Sequence, residues 1–144
     1  MLLKNAFITL FAFSILHADT LKECKSEEDK IQGCVETSKF RHYGTRETPY
    51  KNDKKEGIEK SYDENGNLRI ERSYLNDLFH GDMKYYIEDG KLLALLKAEN
   101  HEIISGKCSN NKALTIKEIR QIDIFDTKKT INYLKEICLK SDSK

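Results

Sequence analysis

Four glycines, Gly33, Gly57, Gly81 and Gly106, stand 24, 24 and 25 residues apart, and their neighbours recur with them. A fixed period of this size marks stacked copies of one supersecondary unit, none of which can bury its apolar face alone. Before Gly57 the chain reads Tyr50-Lys51-Asn52-Asp53, and before Gly81 it reads Tyr74-Leu75-Asn76-Asp77. After Gly57 come Tyr62, Gly66 and Leu68; after Gly81 come Tyr86, Gly90 and Leu92. A weaker copy with Gly33, Phe40 and Gly44 precedes these two. A degenerate one with Asn100 and Gly106 follows, one residue longer between them. Residues 33–106 therefore read as about three repeats.

Each unit reads as a β-hairpin. Asn65-Gly66 and Asp89-Gly90 suit a two-residue type I′ turn, whose central residues both need positive φ. Leu68, Ile70 and Tyr74 alternate with Arg69, Glu71 and Ser73, a period of two with one wet face; Arg72 interrupts the inner row. Asn76-Asp77 reads as the looser return turn. The repeat glycines are read as turn residues too. The sum is a mainly β fold, an antiparallel meander of hairpins in one elongated sheet. The run Leu92-Leu93-Ala94-Leu95-Leu96 lacks alternation and reads as a strand buried on both faces.

The cover for that strand comes from the C-terminal third, residues 107–144. Ile116, Ile119 and Ile122 recur at helical spacing behind Thr115, with Glu118 as its capping-box partner. Asp126 or Thr127 opens a second helix with Ile131, Leu134, Ile137 and Cys138 on one face. Two short helices thus form a C-terminal cap. Residues 19–32 are charged and read as an N-terminal cap, a loop or short helix tied down by Cys24.

At the other extreme, Lys4 precedes an uncharged run from Ala6 to Leu16, and Ala18 precedes Asp19. This is the layout of a secretory signal peptide over residues 1–18, too short to span a bilayer. No stable membrane insertion is expected after cleavage. The four cysteines, Cys24, Cys34, Cys108 and Cys138, all follow it, and an even count in an exported chain implies disulfides. Three pairings are open. Cys24–Cys34 with Cys108–Cys138 is favoured, because it staples each end of the array. With only 38% hydrophobic residues the core is thin and such staples matter. The expected location is periplasmic or secreted.

Little in the 144 residues points to catalysis. His42, His80 and His101 share no motif with an acid or a nucleophile, and His42 and His80 are read as exposed turn residues. Asp63-Glu64-Asn65-Gly66-Asn67 fails as a calcium loop, since its glycine comes at the fourth position and Tyr74 stands where a bidentate Glu belongs. No cysteines are spaced as zinc ligands. Net charge is +1 with Lys and Glu interspersed, which argues against a nucleic-acid-binding stripe. No cofactor and no enzymatic activity are expected. Tyr62, Tyr74, Tyr85 and Tyr86 are read as an aromatic ladder, in which Tyr62 and Tyr86, one period apart, would share one patch.

The pattern Tyr-x-Asn-Asp-x-x-x-Gly followed by Tyr-x-x-x-Gly-x-Leu resembles the MORN-repeat variant of bacterial proteins labelled YwqK-type antitoxins. The resemblance covers about residues 33–106 and is good over 50–92. The family usually has Asn-Gly where this chain has Asn52-Asp53 and Asn76-Asp77. The segment from Gly106 to Cys138 resembles the cap that exported members carry. The resemblance implies hairpins in one elongated sheet and brings no catalytic residues. The expected function is a non-enzymatic protein-binding or envelope-associated module of a Gram-negative-type bacterium, with self-association through open sheet edges as a further route. Neutralising a toxin by direct binding, and binding a glycan or acting as an enzyme inhibitor through the tyrosine face, are the alternatives.

Overall fold

The computed structural model describes residues 21–41 and 44–140. The signal segment 1–18 and His42 lie outside the described residues. A short helix, α1 (Glu27–Gln32), leads into strands β1 (Cys34–Phe40), β2 (Gly44–Lys51), β3 (Lys54–Lys55), β4 (Gly57–Tyr62), β5 (Leu68–Leu75), β6 (Leu78–Tyr86), β7 (Leu92–Glu99) and β8 (Glu102–Cys108). Two helices, α2 (Ile116–Ile119) and α3 (Thr127–Leu139), end the chain. All strand pairs are antiparallel, in the order β1-β2-β4-β5-β6-β7-β8, with β3 beside β2. The sheet is an open meander, as the repeat implies.

The two kinds of turn are the reverse of the expectation from sequence. The tight two-residue turns are Asn52-Asp53, Asn76-Asp77 and Asn100-His101, where both residues hold positive φ (52 and 59, 50 and 69, 50 and 72). They join directly paired residues, Leu75 with Leu78 and Glu99 with Glu102. Asn and His tolerate this left-handed backbone because their short or flat side chains clash little with it. Asn65 and Asp89 are not among the positive-φ residues; only Gly66 and Gly90 are, at 82 and 81. Each ends a wider loop, in which Gly66 N–H donates to Asp63 O and Gly90 N–H to Ile87 O. A type I turn followed by a left-handed residue is the usual form of the three-residue hairpin loop. Asp63 reinforces its copy by accepting the Asn65 and Asn67 N–H groups.

The tight turns also lock successive units together. Asp77 N–H donates to Lys55 O, and Asp77 Oδ1 accepts from Lys55 N–H at 2.8 Å. One period later His101 N–H donates to Phe79 O, and His101 Nδ1 accepts from Phe79 N–H at 3.1 Å. At the array's start Asn52 and Asp53 donate to the α1 carbonyls of Ile31 and Lys30. The second turn residue thus extends the ladder where the strands run out. Glycine in this position would have no side-chain acceptor for the reciprocal bond.

The repeat glycines lie outside the tight turns. Gly81 sits inside β6 at φ 101, in a bulge where His80, Gly81 and Asp82 oppose Ser73 alone. His80 is accordingly a half-buried strand residue rather than an exposed turn residue. Gly57 opens β4 at φ 115 in the matching place, and Gly33 is the C-cap of α1. Gly106 is different. It is out of step with the others, pairing with Leu96 as Met83 pairs with Arg72. A Cβ there would come within 2.6 Å of Leu96 and 3.0 Å of Leu114, so glycine admits the close approach of the chain leading to α2.

The core lies under α2 and α3, on one face of β5–β8. Ile70, Tyr74, Phe79, Met83, Tyr85, Leu93, Ala94, Leu96 and Ala98 meet Leu114, Ile124, Ile131, Leu134 and Cys138. Thr115 caps α2 in a full capping box with Glu118, and Asp126 caps α3 by accepting from Lys129 N–H. Ser26 caps α1 likewise, with Asp29 as its partner. Contrary to expectation, the strand Leu92–Leu96 is not covered by helices on both faces. A bulge opposite Tyr85/Tyr86 puts the consecutive residues Leu93 and Ala94 both in the core, while Leu92 is exposed. An extra residue in one strand shifts the alternation, and that mimics a doubly buried run. Disulfides Cys24–Cys34 and Cys108–Cys138 close the two ends.

Candidate functional site

Side-chain alternation divides the sheet into two faces with different chemistry. On the face away from the helices a cross-strand row runs Glu47, Lys60, Glu71, Lys84, Leu95, Lys107. Opposite charges face each other across β2, β4, β5 and β6, an arrangement that favours this register. Tyr62 and Tyr86 belong to this face. The Tyr62 hydroxyl donates to Glu47 Oε2 at 3.1 Å, and the Tyr86 hydroxyl to Glu71 Oε2 at 2.8 Å. Lys84 Nζ donates to the same Glu71 oxygen at 3.2 Å. Glu47, Lys60 and Tyr62 recur one period later as Glu71, Lys84 and Tyr86.

These contacts shift the groups concerned. Desolvation, then the Glu71 carboxylate that accepts its proton, pushes the Tyr86 hydroxyl up to about 12. Desolvation and the Glu47 charge raise Tyr62 as well. Burial pushes the Glu71 carboxyl up, but hydrogen bonds from Tyr86 and Lys84 outweigh it and hold it below its ordinary value. Each tyrosine is thus a hydrogen-bonded, half-buried ring with a carboxylate beside it, and at Tyr86 the Lys84 ammonium shares that carboxylate. Together they form a patterned polar surface, with Ile58 exposed among them.

The four tyrosines do not form a single ladder. Tyr74 and Tyr85 fall on the helix-covered face and are core residues, at 9% and 0% exposure. Tyr62 and Tyr86 lie two strands apart, roughly 10 Å at the usual strand spacing. Among the described residues no ring contact joins them. Glu71 of the intervening strand stands between.

A second candidate lies on the helix side, where α3 stops short of the first strands. A cleft of about 490 Å³ opens between the first two turns of α3 and the inner face of β2 and β4. Its walls include Phe40, Arg46, Ser61, Arg69, Lys128 and Ile131. Behind its wall Glu59, 1% exposed, is shared by two arginines, of which Arg46 lines the cleft. Arg46 Nε is 3.9 Å and Arg72 Nη1 3.8 Å from Glu59 Oε1, while Thr48 Oγ1 donates to Glu59 Oε2. Arg72 also donates to Thr127 Oγ1 at 3.0 Å, tying the sheet to the start of α3. At the rim Arg69 pairs with Asp63 and Glu88, and Lys135 with Glu88.

Sequence reasoning missed this cleft. The available signal was a difference between units: Glu59 and Ser61 in the first become Met83 and Tyr85 in the second, one period on. The cysteines end up as paired staples, and Gly66 and Gly90 as loop residues. Among the described residues no group of three or more His, Cys, Asp or Glu side chains is placed to hold a metal ion. No helix among them is long and apolar enough to cross a membrane. Residues 55–76 and 79–100 each match the family described as MORN repeat variant. No curated protein and no solved structure matches the chain.

Proposed function

Taking the chain as a repeat protein built on MORN-variant units, we propose that it is an exported, non-enzymatic binding module that docks a protein partner on the uncovered face of its sheet. The observation that carries the reading is the repeated Glu-Lys-Tyr trio, Glu47-Lys60-Tyr62 and Glu71-Lys84-Tyr86, in which each tyrosine hydroxyl donates to its glutamate, on a face that no helix among the described residues covers. Such a face offers rigid aromatic area with fixed polar partners, the residue types enriched where proteins meet. Export is supported by the leader-like segment at the N-terminus and by two disulfides, which persist in oxidising compartments.

Photocrosslinking in the native cell tests the reading. A crosslinking residue at Lys60 or Lys84 is expected to give one discrete protein adduct in the envelope or secreted fraction. The same residue at Lys117, exposed on the helical cap, is expected to give none. Replacing both Tyr62 and Tyr86 with Ser removes the adduct while the fold persists. An adduct from the cap alone, or one that survives loss of both rings, overturns the proposal.

A further inference from the structure

Two guanidiniums meet one buried carboxylate beside the cleft at α3. Arg46 and Arg72 share the single carboxylate of Glu59, and that carboxylate meets both at ion-pair distance without a hydrogen bond to Oε1. The Nε atoms of both arginines are buried and make no hydrogen bond, Arg46 Nε lying 3.9 Å from Glu59 Oε1. Arg72 lies behind the cleft wall, its side chain 5% exposed, and donates to Thr127 in that wall. Buried guanidinium donors without acceptors are costly, and a carboxylate that receives their N–H groups relieves the cost. The Arg46 guanidinium lies over the Phe40 ring, 5.2 Å from its centroid, which orients its plane, and its fork matches the geometry of a planar anion.

The rest of the cleft narrows the ligand. The rim carboxylates Asp63 and Glu88 are occupied by Arg69 and Lys135, and Glu64 completes the acidic edge. Lys128 adds a further cation on the α3 wall, while Phe40 and Ile131 offer apolar surface on opposite sides. A volume of about 490 Å³ falls in the range of small-ligand sites. We propose that this cleft is a binding site for a carboxylate carried next to an apolar group, with Arg46 as its principal anchor. A peptide presents that chemistry either at its C-terminus or on an acidic side chain beside an apolar one. The site shares Tyr62 in its lining with the tyrosine face, but its anchor, Arg46, lies on the helix side of the sheet and does not depend on what binds the open face.

The test is an NMR titration of the full chain with three probes. N-acetyl-leucine carries a terminal carboxylate, N-acetyl-glutamyl-leucinamide a side-chain carboxylate, and N-acetyl-leucinamide none. Saturable shifts at the Ile131 methyls and the Thr127 and Lys128 amides are expected with at least one acid. The amide should bind about tenfold more weakly or worse, the loss typical of a charge-assisted hydrogen bond. Whichever acid binds tighter identifies the source of the carboxylate. Arg46→Gln should abolish saturation. Arg46→Lys, which keeps the charge but loses the fork, should retain part of it, and exposed Lys128→Gln should weaken it severalfold. If Arg46→Gln fails to fold, the other two variants still decide. Equal binding of acid and amide, shifts that never saturate, or affinity unchanged by Arg46→Lys and Lys128→Gln together overturns the proposal.

Discussion

The first and second units share a backbone and differ in what they bury. Strands β3 and β4 repeat as β6, with the same tight turn before them, the same bulge glycine and the same wide loop after. On the open face even the side chains repeat, Glu47, Lys60 and Tyr62 against Glu71, Lys84 and Tyr86. On the helix side they diverge. Arg46, Glu59, Ser61 and Arg69 stand where Ile70, Met83, Tyr85 and Leu93 stand one period later. The second set lies fully buried under α3, whereas Arg46, Ser61 and Arg69 line a cleft with the buried Glu59 behind them. Turn chemistry and strand pairing thus set the frame, and inner-face polarity decides whether a unit builds core or leaves a site.

The largest effect expected from this division is at Ser61 and its counterpart Tyr85. Tyr85→Ala should lose about 3–5 kcal/mol, the range for emptying a buried aromatic position, whereas Ser61→Ala should stay within about 0.5 kcal/mol. Urea midpoints of the two variants check this, and equal losses would erase the distinction between the units. Next comes the shared carboxylate. Arg72→Ala should lose about 3 kcal/mol by leaving Glu59 with Arg46 as its one cationic partner. The double change Glu59→Met with Arg72→Leu installs the residues that follow one period on. By the same principle it should be at least as stable as the natural chain, because well-packed apolar side chains replace a buried ion pair at no net loss. A double variant less stable than Arg72→Ala would show that the charges hold the first unit together.

The frame itself should respond alike in both units. Gly66→Val and Gly90→Val should each lose about 1–2 kcal/mol, the cost of a β-branched residue at positive φ. Thermal melting of both decides whether the loops are equivalent, and a harmless Gly66→Val would refute the loop assignment.

The smallest effect is on the open face. Tyr86 ionises at about 12 against an ordinary 10.0, so its folded state holds the proton more firmly. That contribution to stability is complete below the unfolded value of about 10 and is lost as pH rises towards about 12. A spectrophotometric alkaline titration should show Tyr86 ionising later in the folded chain than in urea, and Glu71→Gln should narrow the gap.

The meander, the two helix caps and the pairing of cysteines were legible in the sequence, because each follows from local chemistry at fixed spacing. Thr115 with Glu118 and the run of isoleucines required nothing long-range. The turns were legible only as a pair, and their types were exchanged. Asn-Gly suggests a two-residue turn, yet Asn65-Gly66 ends a wider loop and the reciprocal bond from Asp77 to Lys55 fixes the tight turn elsewhere. Gly106 sits out of step because of Leu114, a contact beyond the repeat. The cleft was hidden for the same reason: whether Arg46 and Glu59 face water or helix depends on where α3 ends.

Native-state amide hydrogen exchange tests the central contrast most directly. Under increasing denaturant, amides of β6, β7 and α3 should exchange only with global unfolding, whereas those of β2 and β4 should exchange through a smaller opening of lower free energy. The Cys24–Cys34 staple should limit that opening but not remove it. Exchange of β2 and β4 at the global free energy would show one uniform cooperative sheet, and it would contradict a molecule divided into a core-building half and a site-bearing half.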